Sequence, residues 1–329
     1  MAQGMEEGYI ALPSKPSATI SYSFIPGTSL PSPRTRLVVF LNGLMLPKIL
    51  WLPVTRALIS KGEHDEKGYP SMLCYDRYGQ GATTDKDPAD RSGDGHGHDV
   101  SDAVADLHEL IKCIAATKLD IAESDFGSLD LVFVCNSIGC AIARLYAQTY
   151  PNTVSGLLFL DSIMANSDFV SIWPDPDAAD FDANALPKGV TVEDIRVACE
   201  KSGAMFHPSV PNSEGLSRRN LAQLLPYSDG PQLVGPRNGT PLLTVVGHDW
   251  EAFAQEGLER TRTPIALTMN YTNPYWHRYN QDLVNIVPPS QRRGPIFAKG
   301  CGHFIQRDDP LFVAEELSLL LKWMDARDI

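Results

Sequence analysis

The chain has 329 residues, with 28 Lys and Arg against 40 Asp and Glu, and a net charge of −12 at pH 7. That surplus of acid argues against nucleic acid and anionic membrane surfaces as partners. A composition of 43% hydrophobic and 21% charged residues is ordinary for a globular protein, and the length suits one large α/β domain with an insertion or two modest domains. The N-terminal Met-Ala-Gln-Gly-Met-Glu-Glu-Gly lacks the basic and apolar regions of a signal peptide, and the C-terminal Ala-Arg-Asp-Ile is not a peroxisomal or retention signal. No apolar run approaches the roughly 20 residues of a membrane span. The six cysteines have no paired spacing, so they are expected to be reduced core residues of a cytoplasmic protein.

In chain order, residues 8–12 and 18–25 alternate enough to form an antiparallel pair, with Pro13 and Pro16 in the turn. Residues 36–41 are a continuous apolar run, as in a strand buried on both faces, and Asn42-Gly43 ends it. The spacing predicts a helix over 48–61 and a strand over 71–76, followed by the glycine-rich turn Arg77-Tyr-Gly-Gln-Gly81. Residues 99–116 are strongly amphipathic, with Asp99 placed to cap a helix. A strand ending at Ser137, a helix over 140–150 and a strand over 154–160 come next.

After Asp161 the pattern breaks. Residues 162–239 are rich in Pro, Asp, Ser and Asn with scattered aromatics, and a structureless loop of that length is uncommon inside a compact domain. They read as a helical lid inserted into a core made of 1–161 and 240–329. Alternation resumes with a strand over 241–246, helical spacing over 275–286, a strand over 294–298 and a closing helix over 310–324. Strands alternating with helices predict an α/β fold with a mostly parallel central sheet flanked by helices.

The stretch Leu129-Asp-Leu-Val-Phe-Val-Cys-Asn-Ser-Ile-Gly-Cys140 carries the most information. A strand breaks at Ser137, small residues stand two positions to either side, and a helix follows. Taken alone, Ser137 could be a strand-ending serine that caps the next helix. The stretch resembles the nucleophile elbow of the α/β-hydrolase superfamily, with Cys135 in place of the first glycine of Gly-x-Ser-x-Gly. The superfamily order of nucleophile, acid, histidine implies that His303, in Gly-Cys-Gly-His before the last helix, partners Ser137. Two aspartates compete for the acid: Asp161, ending Phe-Leu-Asp, and Asp249, in Val-Val-Gly-His-Asp. The position after the later strand is the commoner one, but its usual Gly-x-x-Asp lands on Trp250, so Asp161 is favoured and Asp249 stays open. Each could instead be structural, Asp161 as a carboxylate bonding N–H groups and Asp249 as a helix N-cap.

The resemblance implies an oxyanion hole from the N–H groups of Ile138 and, after the 36–41 strand, Leu44. Asn42-Gly43 stands where the superfamily has His-Gly. Asp76-Arg-Tyr-Gly-Gln-Gly81 resembles the superfamily's Asp-x-x-Gly-x-Gly turn, whose role is mainly structural. The implied activity is a serine hydrolase cleaving an ester, lactone or thioester of an apolar small molecule, with no cofactor and no metal. A lyase or isomerase using His303 as general base, or a receptor with a disabled triad, are the alternatives. Gly95-His-Gly-His-Asp99 hints at a metal site but lacks further ligands at that spacing. Cys301, near His303, has no elbow around it and reads as a small loop residue.

Overall fold

The computed structural model describes residues 4–28, 35–64, 68–90 and 93–327. In chain order the elements are β1 (Glu6–Leu12), β2 (Lys15–Ile25), β3 (Arg36–Leu41), α1 (Leu52–His64), β4 (Ser71–Tyr75), β5 (His98–Asp99), α2 (Val100–Lys118), β6 (Asp130–Ser137), α3 (Ile138–Thr149) and β7 (Val154–Ser162). They continue with α4 (Val192–Phe206), β8 (Leu216–Ser217), α5 (Leu221–Leu224), β9 (Leu242–His248), α6 (Trp250–Thr261), α7 (Ile265–Leu267), α8 (Asn273–Leu283), β10 (Arg292–Ala298), α9 (Ile305–Asp308) and α10 (Pro310–Arg327).

Eight strands form one sheet in the order β1-β2-β4-β3-β6-β7-β9-β10. The β1–β2 and β2–β4 pairs are antiparallel, and every later pair is parallel. The period of two along a strand divides its side chains between the two faces. Leu37, Val39 and Leu41 join Leu131, Phe133 and Cys135 under α2, α3 and α8. Val38, Phe40, Val132 and Val134 face α1 and α10. Both faces are covered, which is why β3 and β6 read as unbroken apolar runs. Each large apolar side chain so buried stabilises the fold by about 1.5–3 kcal/mol relative to exposure.

Some boundaries depart from the sequence expectation for local reasons. Pro16 lies inside β2, at an irregularity in the β1–β2 register where no ladder N–H is required. The helix expected from residue 48 opens as a 3₁₀ turn, Lys48–Trp51, and becomes α-helical at Leu52, with Pro53 in the first turn where its missing N–H costs nothing. Asp99 caps α2 with a reciprocal bond from its own backbone N–H to Asp102.

Residues 163–241 add no strand to the large sheet. They contribute α4, α5 and β8, which pairs with β5 in a separate two-stranded ribbon. Near the end of this segment Leu233 donates to the Ile286 carbonyl and Val234 accepts from Asn152, so its tail runs along the core. All six cysteines are free. Among the described residues, no helix is long and apolar enough to cross a membrane.

Candidate active site

Because the central strands are parallel, β3, β6, β7, β9 and β10 end at one edge of the sheet, where open α/β folds bind ligands. Ser137 closes β6 and Ile138 opens α3. Ser137 has φ 56° and ψ −123°, a strained conformation for a residue with a Cβ. Its hydroxyl does not cap α3, so it is not committed to the helix it precedes. The turn is tight because α3 presses on the end of β3: a Cβ on Gly139 would stand 2.4 Å from the Leu41 carbonyl oxygen. Ile138, in the first turn of α3, has an N–H with no partner within the helix.

The loop after β3 is held from below. The Asn42 amide donates to the Tyr75 carbonyl (2.8 Å) and Gln80 (2.9 Å), and its oxygen accepts from Trp51 Nε1 (2.8 Å). Arg77 donates to the carbonyls of Asn42 (2.9 Å) and Gly43 (3.1 Å), and Gln80 Nε2 also reaches Gly43 (2.9 Å). In a trans peptide the carbonyl and the following N–H point to opposite sides, so the Leu44 N–H is turned away from Arg77 and Gln80. A Cβ on Gly43 would lie 3.4 Å from Ser137 Cβ, which sets this loop directly against the elbow. Glu214, 1% exposed, pairs with Arg77 and accepts from the Met45 N–H at 2.9 Å. The 162–239 segment thereby reaches the loop.

Asp161 is the penultimate residue of β7, with φ 45°, fully buried. Its Oδ2 accepts from His303 Nδ1 at 2.6 Å, and its Oδ1 from His248 Nδ1 at 2.8 Å and the His248 N–H at 3.2 Å. Burial pushes this carboxyl up, but the charge and hydrogen bonds of His248 and His303 outweigh it and bring the pKa down to about 2. The His303 backbone is fastened beside the elbow: Asn136, preceding Ser137, donates to its carbonyl at 3.0 Å, and Glu256 accepts its N–H at 3.3 Å. With Nδ1 held by Asp161, Nε2 is the nitrogen left for a proton-transfer partner.

Asp249 is committed elsewhere. One oxygen caps α6 through the N–H groups of Glu251 (2.9 Å) and Ala252 (3.2 Å), and the other accepts from Gly300 N–H (3.0 Å). The Gly300 bond is the largest influence holding its carboxyl below the usual range. Asp249 anchors the loop that carries His303, while Asp161 holds the imidazole. Burial pushes the Cys301 thiol up to about 11, so it is a neutral thiol at pH 7. At Gly95–Asp99, Asp99 is taken up as the α2 cap, and among the described residues no group of three His, Cys, Asp or Glu converges to hold a metal ion.

Several residues at this edge were not singled out by sequence. His248 and Trp276 contact the Asp161–His303 pair, Trp276 standing 5.4 Å from each imidazole by ring centroid. A signal for His248 existed: it ends the strand beside β7, so its side chain could reach Asp161. Arg77 and Gln80, expected only to shape a turn, hold the Asn42-Gly43 carbonyls. Glu214 had no signal, because it acts across 137 residues of chain.

The fold is shared with enzymes of several chemistries. A mutant epoxide hydrolase of Vigna radiata aligns with a TM-score of 0.56 at 13% identity, covering 98% of this chain and 99% of that one. A haloalkane dehalogenase loop variant from Bradyrhizobium elkanii aligns with a TM-score of 0.55 at 13% identity over 98% of each chain. A putative lipase from Acinetobacter baumannii AYE aligns at 0.53 and 14% identity, over 98% of this chain and 93% of that one. No curated protein matches. At such identities the likeness is one of fold. The sequence profile of the alpha/beta hydrolase family, however, matches residues 38–316, which span the elbow, both aspartates and His303, and the chain belongs to that family.

Proposed function

We propose that this protein is a serine hydrolase that cleaves an ester, lactone or thioester bond of an apolar small molecule through an acyl-enzyme on Ser137. The observation that carries this reading is the 2.6 Å bond from His303 Nδ1 to buried Asp161, at the sheet edge where Ser137 stands on a strained turn. In the proposed cycle His303 Nε2 takes the Ser137 proton as Oγ attacks the carbonyl carbon, and the N–H groups of Leu44 and Ile138 hold the oxyanion. His303 then protonates the leaving group, and water repeats the sequence to release the acid and restore Ser137. Asp161 keeps the proton on Nδ1 and stabilises the imidazolium.

Serine also bears on the choice among the chemistries this fold hosts. Attack by Oγ on an epoxide or haloalkane carbon would leave a dialkyl ether, which the same machinery cannot hydrolyse, whereas an acyl ester turns over. A carbonyl substrate is therefore favoured. A succession of aromatic rings runs from His303 into the 162–239 segment: Trp276 at 5.4 Å from it, Phe169 at 6.3 Å from Trp276, and Phe206 at 6.4 Å from Phe169. Phe169 and Phe206 belong to the 162–239 segment, which acts in this reading as a lid over an apolar acyl or alcohol group.

Intact mass spectrometry with p-nitrophenyl esters of increasing chain length and aryl lactones tests the reading. Wild type is expected to gain one acyl mass and release p-nitrophenol, and Ser137→Ala to do neither. Folded wild type giving neither adduct nor turnover would overturn it and favour non-covalent base chemistry at His303.

A further inference from the structure

His248 ends β9, 3% exposed, and has acceptors on both ring nitrogens: Asp161 Oδ1 at 2.8 Å from Nδ1 and Asn273 Oδ1 at 3.1 Å from Nε2. The orientation of Asn273 follows from its other bond. Its Nδ2 lies 3.0 Å from the Trp250 carbonyl, which can only accept, so the oxygen is the atom that faces His248. Asp161 Oδ1 accepts from the His248 backbone N–H as well, so a carboxylate oxygen stands on that side. A neutral imidazole has one N–H and would leave one of these acceptors unanswered; only the doubly protonated ring satisfies both.

The surroundings hold the ring rather than solvate it. Phe253 of α6 stacks on it at 4.1 Å and 22°, and Trp276 of α8 meets it edge-on at 5.4 Å and 90°. The charged or titratable groups around it are Asp161 on β7, Asp249 next in the chain, His277 on α8 and, across the shared carboxylate, His303. Asp249 is occupied by α6 and Gly300, which leaves Asp161 as the counter-ion.

We propose that His248 is a positioning residue for the reaction: an imidazolium, protonated throughout the neutral range, that shares the Asp161 carboxylate with His303. It fixes one oxygen of Asp161 so that the other meets His303 Nδ1. It also offsets the charge of the carboxylate that His303 faces. Burial alone would discharge the His248 ring; the Asp161 charge and the bonds to Asp161 and Asn273 outweigh it and raise its pKa. The catalytic part of the inference rests on the hydrolase reading, whereas the charge state of His248 does not.

Two arms separate them. In the first, ring nitrogens are followed by NMR in histidine-labelled protein between pH 6 and 9. Both His248 nitrogens are expected to remain protonated, and a single ring N–H at pH 7 overturns the proposal. In the second, His248→Gln keeps an amide donor toward Asp161 and removes the charge. The acid limb of the kcat/KM profile for p-nitrophenyl ester is expected to move up by about one pH unit. A lowered plateau with the limb in place would mean a packing role only and overturns the proposal. Should His248→Gln fail to fold, Asn273→Ala removes the Nε2 acceptor together with the Nδ2 bond to the Trp250 carbonyl, and is expected to let that proton titrate within the same pH range and to raise the acid limb with it; an unmoved limb overturns the proposal. If no ester is turned over, the NMR arm still decides the charge state, and it is the hydrolase reading that fails.

Discussion

Replacing Asp161 by asparagine should cripple the enzyme for a reason visible in its hydrogen bonds. Three donors converge on the two carboxylate oxygens: His303 Nδ1 on Oδ2, and His248 Nδ1 and the His248 backbone N–H on Oδ1. An amide has one oxygen to offer. Turning its nitrogen toward Oδ1's donors would orphan a buried backbone N–H, at a cost of about 1–3 kcal/mol, and strand the His248 charge besides. The amide nitrogen should therefore face His303 Nδ1, which must then accept, moving the imidazole proton to Nε2. A ring protonated at Nε2 cannot take the Ser137 proton. The expected loss is about 10⁴-fold in kcat, or about 5.5 kcal/mol of barrier, with KM little changed. Asp249→Asn provides the contrast. It weakens a helix cap and a loop anchor, and should cost about 1 kcal/mol of stability and less than tenfold in kcat. Ester turnover with urea unfolding of both variants is the assay. Folded Asp161→Asn within tenfold of wild type, alongside a collapsed Asp249→Asn, would refute the reasoning.

Asp161 also ties stability to pH. Its folded pKa of about 2 lies below the ordinary 3.8, so its contribution is complete above about pH 4 and is lost as pH falls through 2. The contribution is about 2–3 kcal/mol, and urea unfolding of wild type and Asp161→Asn from pH 5 to 2 should show the two stabilities converging. His248 has the opposite sign: its pKa is raised, so its contribution is present below about pH 6.5 and fades as pH rises through the raised value. Gly139→Ala should destabilise by about 1–3 kcal/mol and reduce turnover, because the new methyl meets the Leu41 carbonyl and pushes α3 off β3; an unchanged Tm would count against the tight elbow. Glu214→Ala strips Arg77 of its buried partner and Met45 N–H of its acceptor, and should cost about 3–5 kcal/mol. Where the variant stays folded, kcat should fall more than KM rises, since the loop carrying Leu44 loses an anchor.

Much of this architecture was legible in the chain because it rests on local rules. Residues 36–41 and 131–135 announce buried parallel strands by their unbroken apolar runs, and Asp99 announces the start of α2 by capping chemistry. The change from strand to helix at Ser137, between small neighbours, marks the elbow, since no bulky residue fits where α3 approaches Leu41. Spacing favours Asp161 but leaves Asp249 open. Asp161 and Asp249 both follow strands and both precede His303. Their difference arises because the His303 loop folds back over β7, while the first residues of α6 and Gly300 occupy Asp249. The second histidine on Asp161 and the Glu214–Arg77 pair beneath the loop after β3 were likewise settled only by strand order and by the return of the 162–239 segment. A side chain's chemistry is written in its residue type, but its charge state and partner depend on what the fold brings within 3 Å of it.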